Sequence, residues 1–228
     1  MSFEGSEIRF ESNGDRVLGY LATPASGRGP GVLVLQEWWG LVDHIRDVCD
    51  RFAREGFVAL APDLYRGDAT SDPDEAGRLM LDLEIPRAAR DLDAAVIDLL
   101  GQDAVDGDRV GAIGFCMGGQ LALYAATRNP KVGAVADFYG VHPNVSLDLS
   151  GLAAAVLGIF AERDAFVPPA TARGLQQELL DAGKRADFRI FDEVDHAFFN
   201  DTRPDVYHAA AAAEAWNLTL NFFRAELS

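Results

Sequence analysis

The sequence contains few cysteines, no basic run and no long apolar segment. Cys49 and Cys116 are its only cysteines, too few for a disulfide framework, and free thiols indicate a reducing compartment. The longest apolar stretches, such as residues 153–161, are far shorter than the roughly 20 residues that span a bilayer. Residues 1–4 carry neither a basic region nor an apolar run, so no export signal is predicted. These absences favour a cytoplasmic protein with no membrane contact.

Positive charge is also scarce. Twenty Lys and Arg residues stand against 36 Asp and Glu, which gives a formal net charge of -16. Such a chain would be repelled by phosphate backbones, so nucleic acid is not an expected partner. The sequence has neither the His/Cys spacing of a metal site nor the glycine fingerprint of a dinucleotide site. We therefore expect no metal and no organic cofactor.

The length and composition are those of a globular protein. With 228 residues, of which 49% are hydrophobic, the chain is predicted to form one domain over residues 1–228. Near its start, residues 8–10 and 17–22 are predicted to pair as an antiparallel edge hairpin that turns at Asn13 and Gly14.

After this hairpin, apolar runs alternate with helical patterns. The runs are typical of parallel strands buried on both faces. The predicted strands are 32–35, 58–62, 110–114, 134–139, 155–161 and 188–191. The predicted helices are 43–55, 74–100, 117–129, 169–182 and 204–227. This alternation predicts an α/β fold with a mostly parallel central sheet and helices on both faces.

The strongest chemical signal is the segment Gly-Phe-Cys-Met-Gly at 114–118, between a predicted strand and a predicted helix. It has the pattern of a nucleophile elbow, with Cys116 at the central position. The glycines permit the tight turn that exposes the sulfur, and the helix N-terminus favours a thiolate. The alternative is a glycine-rich turn around an inert cysteine. Cys49 lies in an apolar helical face and is expected to be a core residue.

A nucleophilic thiol needs a base, and four histidines are available. His196 follows the last predicted strand, at the edge of the sheet where ligands bind in such folds, so it is the predicted base. His142 could line the same cleft. His44 and His208 fall within helical patterns, which favours packing or surface positions.

The base needs a carboxylate to orient it. Asp164 follows the predicted strand 155–161 and is the predicted acid, with Glu162 and Asp195 as alternatives. The chain order Cys116, Asp164, His196 is that of the triads in α/β-hydrolases.

The segment Gln-Glu-Trp-Trp-Gly at 36–40 follows the first predicted parallel strand. In this fold such a position supplies an oxyanion-hole N–H, so the backbone N–H groups of Trp38 and Met117 are the predicted pair. Glu37 beside two tryptophans could hold a raised pKa and exchange a proton with the thiol. The alternative is a surface-loop glutamate.

Together these segments resemble the dienelactone hydrolase family, also called carboxymethylenebutenolidases, of the α/β-hydrolase superfamily. The resemblance covers roughly residues 31–223. The motifs that carry it are 36–40, 59–65, 114–119, Asp164 with 167–168, and 196–198. It implies a Cys116, His196, Asp164 triad, with Glu37 bonded to the resting thiol and moving on substrate binding to take its proton. It also implies hydrolysis of an ester or enol-lactone bond through an acyl-thioester.

One departure bears on the substrate. Such enzymes use two arginines to hold a substrate carboxylate, one of them four residues after the catalytic histidine, where this chain has Asn200. Arg203 is a candidate replacement, and Arg78 or Arg87 for the second arginine. Further candidate substrate contacts in the matching motifs are Trp39 and Phe198.

Two alternatives to the family reaction stay open, and this departure favours the first. One is a general small-molecule carboxylesterase for uncharged esters, and the other is a non-catalytic binding protein on the same fold. The expected partner is a small ester or lactone, and the expected assembly state is a monomer.

Overall fold

The computed structural model describes residues 3–227. Met1 and Ser2, which belong to the segment where no export signal is predicted, lie outside the described residues, as does Ser228. Within this range eight strands form one sheet in the order β1-β2-β4-β3-β5-β6-β7-β8. The strands are β1 Glu4–Ser12, β2 Asp15–Thr23, β3 Gly29–Leu35, β4 Val58–Pro62, β5 Val105–Phe115, β6 Val132–Phe138, β7 Ala155–Ala161 and β8 Ala186–Phe191. Strands β3 to β8 are parallel, whereas β1 and β2 are antiparallel.

Helices cover both faces of this sheet. They are α1 Asp43–Arg54, α2 Pro73–Asp82, α3 Ile85–Gly101, α4 Met117–Arg128, α5 Pro169–Asp181 and α6 Ala209–Glu226. Side chains alternate along β3: Val32 and Val34 pack on the face covered by α1 and α6, whereas Leu33 and Leu35 pack on the face covered by α3 and α4. Both faces of the central strands are therefore buried, which explains their continuous apolar runs. The predicted fold class is confirmed.

The predicted hairpin is also confirmed. Strands β1 and β2 pair over their whole length and are joined by Asn13 and Gly14, with φ of 50° and 89°. Two successive residues at positive φ form the two-residue turn whose twist matches that of the strands.

Three predicted elements were wrong in detail. The predicted helix 74–100 is two helices, because Pro86 cannot donate an interior helical hydrogen bond and instead lies in the first turn of α3. The last helix begins at Ala209 rather than at 204, because the His208 side chain caps it by accepting the Ala211 N–H at 3.2 Å. The run 188–191 was predicted to be buried on both faces, but it belongs to the edge strand β8, in which partly buried and exposed residues alternate.

The parallel strands bring distant loops together. The carboxyl ends of β3, β5, β7 and β8 lie at one edge of the sheet, and the loops that follow them carry Glu37, Cys116, Asp164 and His196. Among residues 3–227 no helix has the length and apolar character to cross a membrane.

Candidate active site

Cys116 occupies a sharp turn between the end of β5 and the start of α4. Its φ of 52° and ψ of -122° are strained values for a residue with a side chain. A Cβ on Gly114 would collide with the Gly118 carbonyl, and one on Gly118 would lie 2.5 Å from the Leu35 carbonyl oxygen. The two glycines are therefore required for this turn. The Cys116 N–H donates to the Phe138 carbonyl at 3.0 Å, which anchors the strained residue to β6.

The surroundings of the sulfur favour the protonated thiol. Burial, reinforced by the negative charge of Glu37, raises the pKa of Cys116 well above its usual value. The Met117 backbone N–H hydrogen-bonds the sulfur and lowers this pKa, so the predicted effect of the helix N-terminus is present but smaller than that of burial. A thiol in these surroundings would need a base before it could act as a nucleophile.

His196 and Asp164 form a hydrogen-bonded pair. His196 Nδ1 lies 2.7 Å from Asp164 Oδ2, and Asp164 Oδ1 accepts the backbone N–H groups of Phe166 and Val167 at 2.7 and 2.8 Å. A carboxylate accepts the Nδ1 proton and thereby leaves Nε2 free to accept another proton. The buried carboxylate thus sets both the tautomer and the orientation of the imidazole.

The other candidate acids and bases lie elsewhere. Glu162 and Asp195 are exposed. His208 caps α6, and His44 is buried within α1. His142 is buried near the same edge of the sheet, where its Nδ1 accepts a backbone N–H and burial lowers its pKa. None of these five residues lines the cavity at Cys116.

Glu37 is bound by Asn200. Both side chains are 1% exposed, and Asn200 Nδ2 donates to Glu37 Oε2 at 2.6 Å. Glu37 Oε1 has no hydrogen-bond partner among the described residues, so no bond joins it to the Cys116 thiol here. The resting partner of Glu37 is therefore the Asn200 amide, not the Cys116 thiol that the resemblance implied.

These groups meet in a small cavity of about 100 Å³. Its lining is mostly apolar, with a few polar groups: Glu37, Trp38, Trp39, Met80, Cys116, Val141, Phe166, His196, Ala197 and Arg203. Such an apolar lining around a few converging polar groups is typical of a small-molecule site.

Only some of the predicted substrate-contacting residues line this cavity. Trp39 and Arg203 line the cavity, with the Arg203 guanidinium 5.7 Å from the Trp39 ring centroid. Phe198 is fully buried in the core. Arg78 and Arg87 line a separate pocket on the α2–α3 side, so they are not brought to Cys116.

Sequence reasoning missed several cavity residues. Phe166 lies two residues after Asp164, and its ring centroid is 5.0 Å from that of His196. Its position on the same loop as Asp164 could have indicated that it lines the site. Tyr139 does not line the cavity, but its buried ring packs against His196, with ring centroids 4.8 Å apart. Met80 and Val141 also line the cavity, and no motif in the sequence marks them.

The fold and this arrangement at the carboxyl edge of the sheet define an α/β-hydrolase. The chain belongs to the dienelactone hydrolase family, whose model matches residues 17–227. It is 40% identical to protein usf of Aquifex pyrophilus, over 98% of this chain and 100% of that protein.

Two further relatives carry names that agree with this family. An Aquifex aeolicus protein named "Putative carboxymethylenebutenolidase" is 38% identical over 98% of this chain and 99% of the relative. The crystal structure of a "Putative Dienelactone Hydrolase" from Klebsiella pneumoniae superposes with a TM-score of 0.89 at 31% identity, covering 98% and 99% of the two chains. The protein is accordingly a hydrolase that acts on ester or lactone bonds.

Proposed function

We propose that this protein hydrolyses an ester or enol-lactone by covalent catalysis, with Cys116 as the nucleophile. His196 is the base that activates water, and Asp164 orients this base. The observation that carries the proposal is the 2.7 Å bond between His196 and Asp164 beside a cysteine at a strained strand-to-helix turn. These are the parts that nucleophilic acyl transfer requires.

In the first half-reaction, the Cys116 proton passes to Glu37, and the thiolate adds to the substrate carbonyl carbon. The backbone N–H groups of Trp38 and Met117 hold the resulting oxyanion. When the intermediate collapses, the carbon–oxygen bond breaks, which opens the ring of a lactone. The leaving oxygen takes up the proton from Glu37 and an acyl-thioester remains on Cys116.

In the second half-reaction, His196 removes a proton from water, which attacks the thioester carbonyl. Collapse of the second intermediate expels the Cys116 thiolate, and the protonated His196 returns a proton to the sulfur. Asp164 holds the ring in the tautomer that permits both transfers.

Steady-state hydrolysis of a dienelactone and of a matched neutral ester tests this mechanism. Cys116→Ala should lower kcat by about 1000-fold or more, and mass spectrometry should show an acyl adduct on Cys116 in the wild type. Cys49→Ala, which removes a buried thiol on α1, is the matched control and should keep wild-type activity. Wild-type rates in Cys116→Ala would overturn the assignment.

A second candidate is a carboxylesterase for uncharged esters. Asn200 is bonded to Glu37 and Thr202, and Arg203, the one arginine among the lining residues, pairs with Asp205 at 3.1 Å. The site thus has little to hold a substrate carboxylate. Neutral esters that exceed carboxylate-bearing lactones in kcat/KM would favour this candidate, and the reverse order would exclude it.

The expectations of a single domain over residues 1–228, of a monomer and of a cytoplasmic location stay predictions. Sedimentation equilibrium tests the monomer, limited proteolysis the single domain and cell fractionation the location. A dimer in solution would leave the proposed chemistry unchanged, because the proposed catalytic residues come from one chain.

A further inference from the structure

Asn200 is a buried amide beside the cavity. It lies on the loop between β8 and α6, where its N–H donates to the Ala197 carbonyl at 2.9 Å. Its side chain is almost without solvent contact, yet it bonds Glu37, which is 163 residues away in the chain. Because buried polar groups need partners, the two side chains satisfy each other through this bond. The bond also joins two loops that meet only in the folded protein.

The neighbours of Asn200 determine which way its amide points. Its Oδ1 accepts the Thr202 N–H at 3.0 Å and the Thr202 hydroxyl at 2.6 Å. A backbone N–H can only donate and a carboxylate can only accept, so the amide nitrogen must face Glu37. Asn200 is consequently locked as a donor to Glu37 and is not free to bind substrate.

The two oxygens of Glu37 are therefore unequal. Oε2 is held by Asn200, whereas Oε1 is buried without a partner among residues 3–227. The charge of Glu37 acts directly on Cys116, and both line one cavity. The titratable or charged groups that face this pair from the surrounding elements are Tyr65, Tyr139, Asp164, His196 and Arg203.

We propose that Asn200 is a positioning residue that anchors Glu37 through Oε2, so that Oε1 stays available for the Cys116 proton. This inference rests on the proposed function. In the step concerned, the S–H bond of Cys116 breaks and an O–H bond forms at Oε1, which leaves a thiolate and a neutral carboxyl group. A neutral amide holds the carboxylate in place without the counter-charge that would weaken it as a proton acceptor.

A double-mutant cycle tests this proposal, with p-nitrophenyl acetate as the probe substrate. Glu37→Gln should lower kcat about 100-fold and Asn200→Ala about tenfold or more, with KM changed less than about twofold. Adding Asn200→Ala to Glu37→Gln should change kcat by less than about twofold, because Asn200 acts through Glu37. Independent, multiplying losses would overturn the proposal.

Two further variants separate positioning from a structural role. Asn200→Leu keeps the volume but removes the donor and should lose kcat like Asn200→Ala. Asn129 is a matched control: its amide nitrogen also binds a carboxylate, that of Asp93 at 3.1 Å, and its Oδ1 accepts the N–H two residues on. Asn129→Ala should keep wild-type kcat. Wild-type kcat in Asn200→Leu, or an equal loss in Asn129→Ala, would contradict the proposal.

Alkylation of the resting thiol by iodoacetamide gives a readout that does not depend on turnover. Without its anchor, the Glu37 carboxylate is no longer held beside the thiol whose pKa its charge raises, so Asn200→Ala should shift the alkylation profile of Cys116 to lower pH. In the Glu37→Gln background this shift should vanish. A shift that persists there would exclude action through Glu37, as would the absence of any shift in the single variant. Full activity of Cys116→Ala would instead refute the proposed function itself.

Discussion

The loops after β7 and β3 each place a buried carboxylate near Cys116, but the two carboxylates differ in how many hydrogen bonds they accept. Asp164, after β7, accepts three hydrogen bonds, two from backbone N–H groups of its own loop and one from His196. Glu37, after β3, accepts one bond from Asn200 and has a free oxygen among the described residues. A fully bonded carboxylate is suited to holding another group still, whereas one with a free oxygen is suited to receiving a proton.

The largest expected effect comes from removing the acceptor at Asp164. Asp164→Asn keeps the shape, but its amide would favour the wrong imidazole tautomer at His196, so kcat should fall by about 10,000-fold. Steady-state hydrolysis of p-nitrophenyl acetate measures it. Glu162→Gln, an exposed carboxylate on the same loop, is the control and should stay within about twofold of the wild type. Equal rates for the two variants would remove Asp164 from the mechanism.

A third buried carboxylate extends the comparison to stability. Asp137 on β6 lies against Gly119 of α4 and accepts the Gly140 N–H, while its Oδ1 has no partner among the described residues. Burial raises the pKa of Asp137 to about 7, whereas an unfolded aspartate titrates near pH 4. The folded state thus binds the proton more tightly. The resulting stabilisation is complete below about pH 4 and is lost as pH rises to about 7.

Urea unfolding from pH 4.5 to 7.5 tests this titration. The free energy of unfolding of the wild type, relative to Asp137→Asn, should fall by about 2 to 4 kcal/mol over this range. Asp187→Asn, at an exposed position on β8, should follow the wild type at every pH. Parallel curves for Asp137→Asn and the wild type would contradict the proposed titration of Asp137.

Glu37→Gln should change turnover and thiol reactivity in opposite directions. Turnover falls because the proton acceptor is lost, yet iodoacetamide should alkylate the resting Cys116 about three- to tenfold faster near pH 8. The reason is that the charge of Glu37 raises the pKa of this thiol. Glu75→Gln, an exposed carboxylate on α2, should alter neither rate. Slower alkylation in Glu37→Gln would show that its charge does not control the thiol.

The smallest expected effect concerns the rim of the cavity. Phe166 is 63% exposed, and its ring lies against Trp38 and His196. Phe166→Ala should raise KM for aryl esters about two- to fivefold through lost apolar contact, with kcat within about twofold. Ile97→Ala removes an exposed apolar side chain on α3 and should leave both constants unchanged. A fall in kcat alone would assign Phe166 to the orientation of His196 instead.

Much of the fold and the candidate residues could be predicted because the signals are local. The apolar runs at 32–35 and 155–161 predicted buried strands, and the Asn13–Gly14 turn predicted the hairpin. The glycines around Cys116 predicted the elbow. The split between α2 and α3 was missed, although Pro86 marked it, because the apolar periodicity continues across the break.

The sequence by itself determined the class of sheet, the elbow and the chain order of Cys116, Asp164 and His196, because each depends on neighbouring residues and on the direction of parallel strands. Only the tertiary structure decided that Asn200 holds Glu37, that burial outweighs the helix N-terminus at the sulfur, and that Arg78 and Arg87 point to another pocket. Those outcomes depend on side-chain rotamers and on solvent excluded by distant elements, which no local pattern encodes.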